Sequence, residues 1–176
     1  MAQASAGPQR RFPAVLCVIV VVLGVARLLT HAPTNRVAWV APAEAIQQAT
    51  AARKPILYDF TAEWCAPCKE LQHTVFANAE TADLINRSFV PVQVVDRELE
   101  DGRNPPLIAQ LRERYGVRSF PTLVATRPDG TLLEQHRGFG GPGSRQEVES
   151  FLRKSLGQAR ARAASPPPAS PRPPGS

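Results

Sequence analysis

The chain has 176 residues, of which 21 are Lys or Arg and 15 are Asp or Glu, a formal net charge of +6. That length holds one globular domain of roughly 100–150 residues with appendages. A hydrophobic share of 43% excludes disorder throughout and a polytopic membrane protein, and three cysteines are too few for a disulfide-dense secreted scaffold.

The surplus charge sits at the two ends. Residues 1–36 carry Arg10, Arg11, Arg27 and Arg36 with no acid, and residues 157–176 carry Arg160, Arg162 and Arg172, again with no acid. Removing these seven from the 21 leaves 14 basic residues against all 15 acids. A fold that binds nucleic acid carries its charge on the fold itself, so DNA and RNA are excluded as partners.

Residues 1–11 form a short basic N-terminus, and Phe12 to Ala26 are apolar without a break. As a helix that run spans only about 22 Å, against about 30 Å of hydrocarbon; Leu28 and Leu29 bring it to about 27 Å if Arg27 snorkels. Residues 12–29 therefore fit a single-pass anchor and also a signal peptide. The weak cleavage sites (Pro33 follows Ala32 directly) favour the uncleaved anchor. Arg10 and Arg11 favour a cytoplasmic N-terminus, so that the rest of the chain is exported. Cys17, inside the apolar run, follows Leu16 and reads as an inert thiol.

Residues 30–41 read as a linker and 42–156 as the domain. Pro42 opens a helix through Ala49 that Pro55 keeps short. Ile56–Phe60 is a short apolar run, the pattern of a central buried strand. Helices follow over Cys65–Phe76 and Glu80–Asn86, then a strand over Phe89–Val95. Arg97–Asn104 is a charged loop, and Pro105-Pro106 opens a helix that Gly116 closes. Pro121–Thr126 and Thr131–His136 flank the turn Arg127-Pro128-Asp129-Gly130 and form a hairpin. Ser144 and Glu147 make a capping box for a last helix, with Gly157 after it. This order implies an α/β domain, a mixed sheet covered by helices on both faces. Residues 157–176, holding six prolines, read as a disordered Pro/Ala-rich tail.

The chemistry concentrates in Trp64-Cys65-Ala66-Pro67-Cys68-Lys69, at the junction of the buried strand and a helix. Two cysteines three apart on a first helical turn can close a small disulfide ring, and the helix N-terminus stabilises a thiolate on the first. Cys65 is the expected exposed nucleophile and Cys68 the shielded resolving thiol. Pro67 lacks an N–H where the helix start needs none. Zinc is the first alternative, but His31, His73, His136 and Cys17 make no second pair at zinc spacing, and His73 points about 140° away from Cys68. A purely structural disulfide is the second, and so short a loop stabilises little. Asp59, six residues before Cys65 on the buried strand, should have a raised pKa and could take the proton of Cys68. The Phe120-Pro121 bond, at the start of a strand, is a candidate for the cis form, which would present an unpaired backbone edge beside the thiols. Gly138, Gly140 and Gly143 match G-x-G-x-x-G, yet no strand follows the next helix and no acid lies about twenty residues on, so dinucleotide binding is not expected.

Ile56–Lys69 resembles the active-site strand and helix of thioredoxins, and Tyr115–Leu123 resembles their cis-proline segment. The likeness covers roughly residues 37–156 and implies a thioredoxin fold. By it, Asp59 matches the buried acid, Cys65 the nucleophile, Cys68 the resolving cysteine and Pro121 the cis-proline. Trp64, Ala66, Pro67, Phe120 and Pro121 would dock substrate. Cys68-Lys69-Glu70-Leu71 with Thr74-Val75-Phe76 is more similar to the C-terminal periplasmic domain of the thiol:disulfide interchange protein DsbD. In departure from the pattern, Thr61 replaces an aromatic, Val92 and Val94 leave no lysine to pair with Asp59, and Phe120 is bulkier than usual. The resemblance implies a thiol–disulfide oxidoreductase of reductase type, tethered in a bacterial inner membrane with its domain in the periplasm. It would act on protein disulfides, receive electrons from a membrane donor, and need no cofactor or metal beyond the two thiols. A non-catalytic docking or metal-binding module and a disulfide oxidase or isomerase are the alternatives.

Overall fold

The computed structural model describes residues 36–164. The apolar run at 12–29, Cys17, His31 and residues 165–176 lie outside the described residues. Among the described residues no helix is long and apolar enough to cross a membrane.

The elements in chain order are α1 (Ala45–Ala52), β1 (Ile56–Ala62), α2 (Ala66–Leu71), α3 (Ala79–Ser88), β2 (Val90–Asp96), α4 (Glu98–Asp101), α5 (Pro106–Arg114), β3 (Thr122–Thr126), β4 (Leu132–Arg137) and α6 (Ser144–Ala164). The strands make one mixed sheet in the order β2-β1-β3-β4. β1 and β2 are parallel, with Ile56 opposite Val90 and Asp59 opposite Gln93, while β3 runs antiparallel to β1 and β4 to β3. Pro91 is tolerated on the outer side of β2, where among the described residues only an isolated bridge to Val40 follows, Pro91 O accepting from Val40 N–H at 2.8 Å.

All seven residues of β1 are buried, as its apolar run predicts for a strand covered on both faces. The pleat divides them. Leu57 joins Leu71, Val75, Phe76, Ile85, Val148 and Leu152 under α2, α3 and α6. Ile56, Tyr58 and Phe60 join Ala45, Ala49, Val92, Val94 and Ile108 under α1 and α5. β1 ends where α2 begins, and this places the two cysteines at one end of the sheet.

Several boundaries differ from the sequence reading. The first helix starts at Ala45, three residues after Pro42. The expected helix over Cys65–Phe76 is α-helical only to Leu71; Gln72–Phe76 is a π-helical turn in which Ala77 N–H reaches back to Gln72 O. Val75 and Phe76, both in this wider turn, are fully buried in the core below Leu71. The charged loop after β2 contains α4. Ser144 does not make the capping box: its hydroxyl donates to Gly140 O at 2.7 Å, and Glu147 N–H bonds Gly143 O instead.

The final helix also passes through Gly157, so residues 157–164 are helical and not tail. A glycine inside a helix costs about 1 kcal/mol relative to alanine. Contacts on either side offset it: Ser155 is fully buried, Leu156 and Ala159 pack on the core, and Lys154 and Gln158 both reach Glu134.

Candidate active site

The last residue of β1, Ala62, accepts a hydrogen bond from Cys65 N–H at 3.1 Å, which turns the chain from strand into helix. Cys65 is the N-cap of α2; its backbone is extended and its Sγ accepts from Cys68 N–H at 3.2 Å. Pro67 sits in the first turn, where its missing N–H leaves no acceptor unserved. Cys65 and Cys68 are joined by a disulfide with Cα atoms 5.3 Å apart.

The expected contrast between an exposed Cys65 and a shielded Cys68 is not found. Each residue is 2% exposed. In the disulfide form Cys65 turns inward against Ala62 and Cys68, and the half-buried Phe120 packs over the cluster. Trp64, by contrast, is 53% exposed and meets Phe120 edge to face at 5.9 Å. Ala66 is exposed and Pro67 half-buried.

Phe120-Pro121 is a cis peptide, as its place before β3 suggested. The backbone edge beside the thiols is only partly open. Pro121 is buried and its carbonyl accepts from Gly138 N–H at 2.8 Å, so the free backbone groups are those of Phe120, which find no partner among the described residues.

Asp59 is 1% exposed on β1. Its Oδ2 accepts from Gln93 Nε2 at 3.3 Å, and its Oδ1 is buried without a partner. Burial lifts the carboxyl from the ordinary range to about 7, against a smaller downward pull from the Gln93 hydrogen bond. Gln93 in turn lines a cavity of about 440 Å³ together with Thr61, Glu63, Cys68, Lys69 and Gln72. Cys68 and the hydrogen-bond partner of the buried acid therefore line one cavity.

The family model for thioredoxin-like domains matches residues 42–154. The chain belongs to the thioredoxin-like family. It is similar to protein disulfide isomerase-like 1-2 of Oryza sativa subsp. japonica, at 28% identity over 104 residues, 59% of this chain and 18% of that one. It is also similar to thioredoxin-1 of Drosophila melanogaster, at 37% over 79 residues, 45% of this chain and 63% of the other. Among solved structures, a DsbH oxidoreductase superposes with a TM-score of 0.57 at 23% identity, covering 88% of this chain and 95% of that one. The chain spans about a fifth of the length of the plant isomerases.

In this thioredoxin-like domain two residues that contact the predicted site residues are not legible in the sequence pattern. Gln93 is one: in-register parallel neighbours share a face, which puts Gln93, and not Val92 or Val94, beside Asp59. Arg112 is the other. Its guanidinium lies 5.4 Å from the centre of the Phe120 ring while Nη1 pairs with Asp96 and, at 2.8 Å, with Glu98. The G-x-G-x-x-G stretch is a loop in which Gly138, Gly140 and Gly143 all have positive φ, and its backbone groups bond Pro121 O, the Ser144 hydroxyl and Glu147 N–H. Among the described residues no group of three His, Cys, Asp or Glu could hold a metal ion.

Proposed function

We propose that this chain is an extracytoplasmic, membrane-tethered thiol–disulfide oxidoreductase that reduces disulfides of protein substrates. The observation that carries the reading is the Cys65–Cys68 pair at the start of α2, with the buried Asp59 carboxyl on the strand that leads into it. In the reduced protein the Cys65 thiolate attacks a substrate disulfide, forming a mixed disulfide and releasing one substrate thiolate. Asp59, neutral or ionised in similar amounts near pH 7, takes the proton of Cys68. The Cys68 thiolate then attacks Cys65 Sγ and releases the second substrate thiolate, leaving the protein oxidised by two electrons.

Trp64, Ala66, Pro67 and Phe120 with the cis Pro121 form the docking surface, and the free N–H and C=O of Phe120 suit pairing with an extended substrate segment. Return to the dithiol needs a two-electron donor, for which the resemblance to DsbD favours a membrane-embedded carrier. The run at 12–29, with Arg10 and Arg11 before it, supports tethering in a bacterial inner membrane with the domain in the periplasm. On this reading the two thiols are the only redox group required, with no cofactor and no metal.

A docking module without turnover is the second reading, favoured by the 2% exposure of Cys65 beneath Phe120. A redox titration in thiol/disulfide buffer, followed by tryptophan fluorescence, separates the readings. A midpoint near about −270 mV supports a reductant, one near about −120 mV an oxidase. Loss of all exchange in Cys65→Ser supports catalysis, whereas unchanged cellular function of that variant supports docking.

A further inference from the structure

At the end of the sheet opposite the disulfide lies a second cavity of about 250 Å³, lined by Arg53, Lys54 and Arg127 over an apolar floor that includes Pro55, Pro128, Ala159 and Ala163. Pro55 directly precedes β1, whose seven residues carry the chain about 20 Å to the cysteines. Three cations and no carboxylate line the cavity, and Asp129, which pairs with Arg127 at 3.5 Å, offsets one of them. The α6 extension past Gly157 adds two more. Ala159 and Ala163 lie on one helix face, and the 100° step puts the exposed Arg160 and Arg162 about 80° to either side of it. No Asp or Glu follows Glu149 in α6. Arg53 holds a left-handed conformation, φ 53°, unusual for a residue other than glycine, at the C-terminus of α1.

We infer that this cavity and its arginine flanks dock the domain on the anionic phospholipid headgroups of a membrane, with the disulfide turned away from the lipid. Charge complementarity is the first argument: Arg53, Arg127, Arg160 and Arg162 meet phosphates, and the Pro/Ala floor meets the glycerol backbone. The cavity lies below the roughly 300–1,000 Å³ of pockets that enclose drug-sized ligands, a size for a headgroup and not for an acyl chain. Chain length is the second. Only residues 30–35 separate the apolar run from Arg36, at most about 20 Å of extended chain. Arg36 N–H bonds the carbonyl of Phe76, the last residue of the helical stretch that starts at the cysteines, so the chain joins the domain at the end remote from the disulfide. A domain held that close to a charged surface lies within a few Debye lengths of it. The inference builds on the tethering proposed above and goes beyond it by assigning a lipid site and an orientation.

The test uses the full chain with vesicles of phosphatidylcholine alone or of phosphatidylcholine with phosphatidylglycerol, reading flotation and amide hydrogen exchange. The expected result is flotation with both, and exchange at Lys54, Arg127, Thr131 and residues 159–164 slowed several-fold only when phosphatidylglycerol is present. The slowing should vanish at high salt and in the triple variant Arg53→Gln/Arg127→Gln/Arg160→Gln, whose unchanged exchange in β1 shows that it is folded. Equal exchange on both vesicles with the chain bound overturns the lipid site and leaves tethering intact. Flotation only with phosphatidylglycerol overturns tethering and supports the lipid site, and flotation with neither overturns both. The same slowing by soluble glycerol phosphate without vesicles assigns the site to a free phosphate ligand and overturns docking on a membrane.

Discussion

Asp59 has one hydrogen-bond donor for two carboxylate oxygens, on a strand covered on both faces. Desolvation of the charged form outweighs the Gln93 contact, which is why the pKa rises to about 7. The same shift is a statement about stability. Between the unfolded value, 3.8, and about 7 the native state holds a proton that the unfolded state has lost. Stability therefore falls as pH rises through that window, by about 4 kcal/mol in total. Asp59→Asn cannot ionise and escapes the fall. Urea unfolding at pH 4 and pH 8.5 should show the two proteins within about 1 kcal/mol at the lower pH, with the variant more stable by a few kcal/mol at the higher. A gap that does not grow with pH would mean that Asp59 titrates as an ordinary carboxylate. The cost is consistent with the proposed role, because a group that exchanges a proton near pH 7 suits base catalysis in that range.

At the scale of elements, Asp96 ties the end of β2 to the loop behind it. It is 3% exposed and accepts from Glu98 N–H at 3.2 Å, Asn104 Nδ2 at 2.6 Å and Arg112 Nη1. Arg112, on α5, then carries the network to Phe120 and so to Trp64. Removing one member of a buried pair leaves the other charge uncompensated, so Arg112→Ala should cost about 3 kcal/mol. Adding Asp96→Asn should recover part of that loss, with a coupling above about 1 kcal/mol in a double-mutant cycle of urea midpoints. Additive losses would mean that the two side chains act independently.

None of this network was visible in the pattern, because it depends on which residues the end of β2 meets. Ile56–Phe60 was legible as a central strand because burial on both faces removes alternation, and the hairpin because Pro128-Asp129-Gly130 can hardly be anything but a turn. The cysteine pair and Asp59 were legible as local chemistry on a recognisable strand–helix junction. The π-helical turn and the run of α6 through Gly157 were not, since each is decided by core contacts that override local preference. The burial of Cys65 is not legible for the same reason: Phe120, fifty-five positions along the chain, packs over its cluster.

At the scale of the molecule, and among the described residues, the sheet separates two large cores that share no side chains. Phe76, fully buried, fills the core under α2, α3 and α6, and Phe60, fully buried, fills the one under α1 and α5. Either Phe→Ala change leaves a cavity and should cost about 3–5 kcal/mol. The question is whether the sheet transmits the resulting repacking from one face to the other. Its backbone is fixed by ladder hydrogen bonds on both sides of β1, so each cavity should be absorbed by side chains on its own face. The double variant should then lose the sum of the two costs to within about 0.5 kcal/mol, and a loss that large calls for a thermal or denaturant measurement in stabilising salt. A coupling above about 1 kcal/mol would show that β1 shifts when either core is emptied. Such a shift would reach the thiols directly, because β1 runs from the cationic cavity at one end of the sheet to the Cys65–Cys68 pair at the other.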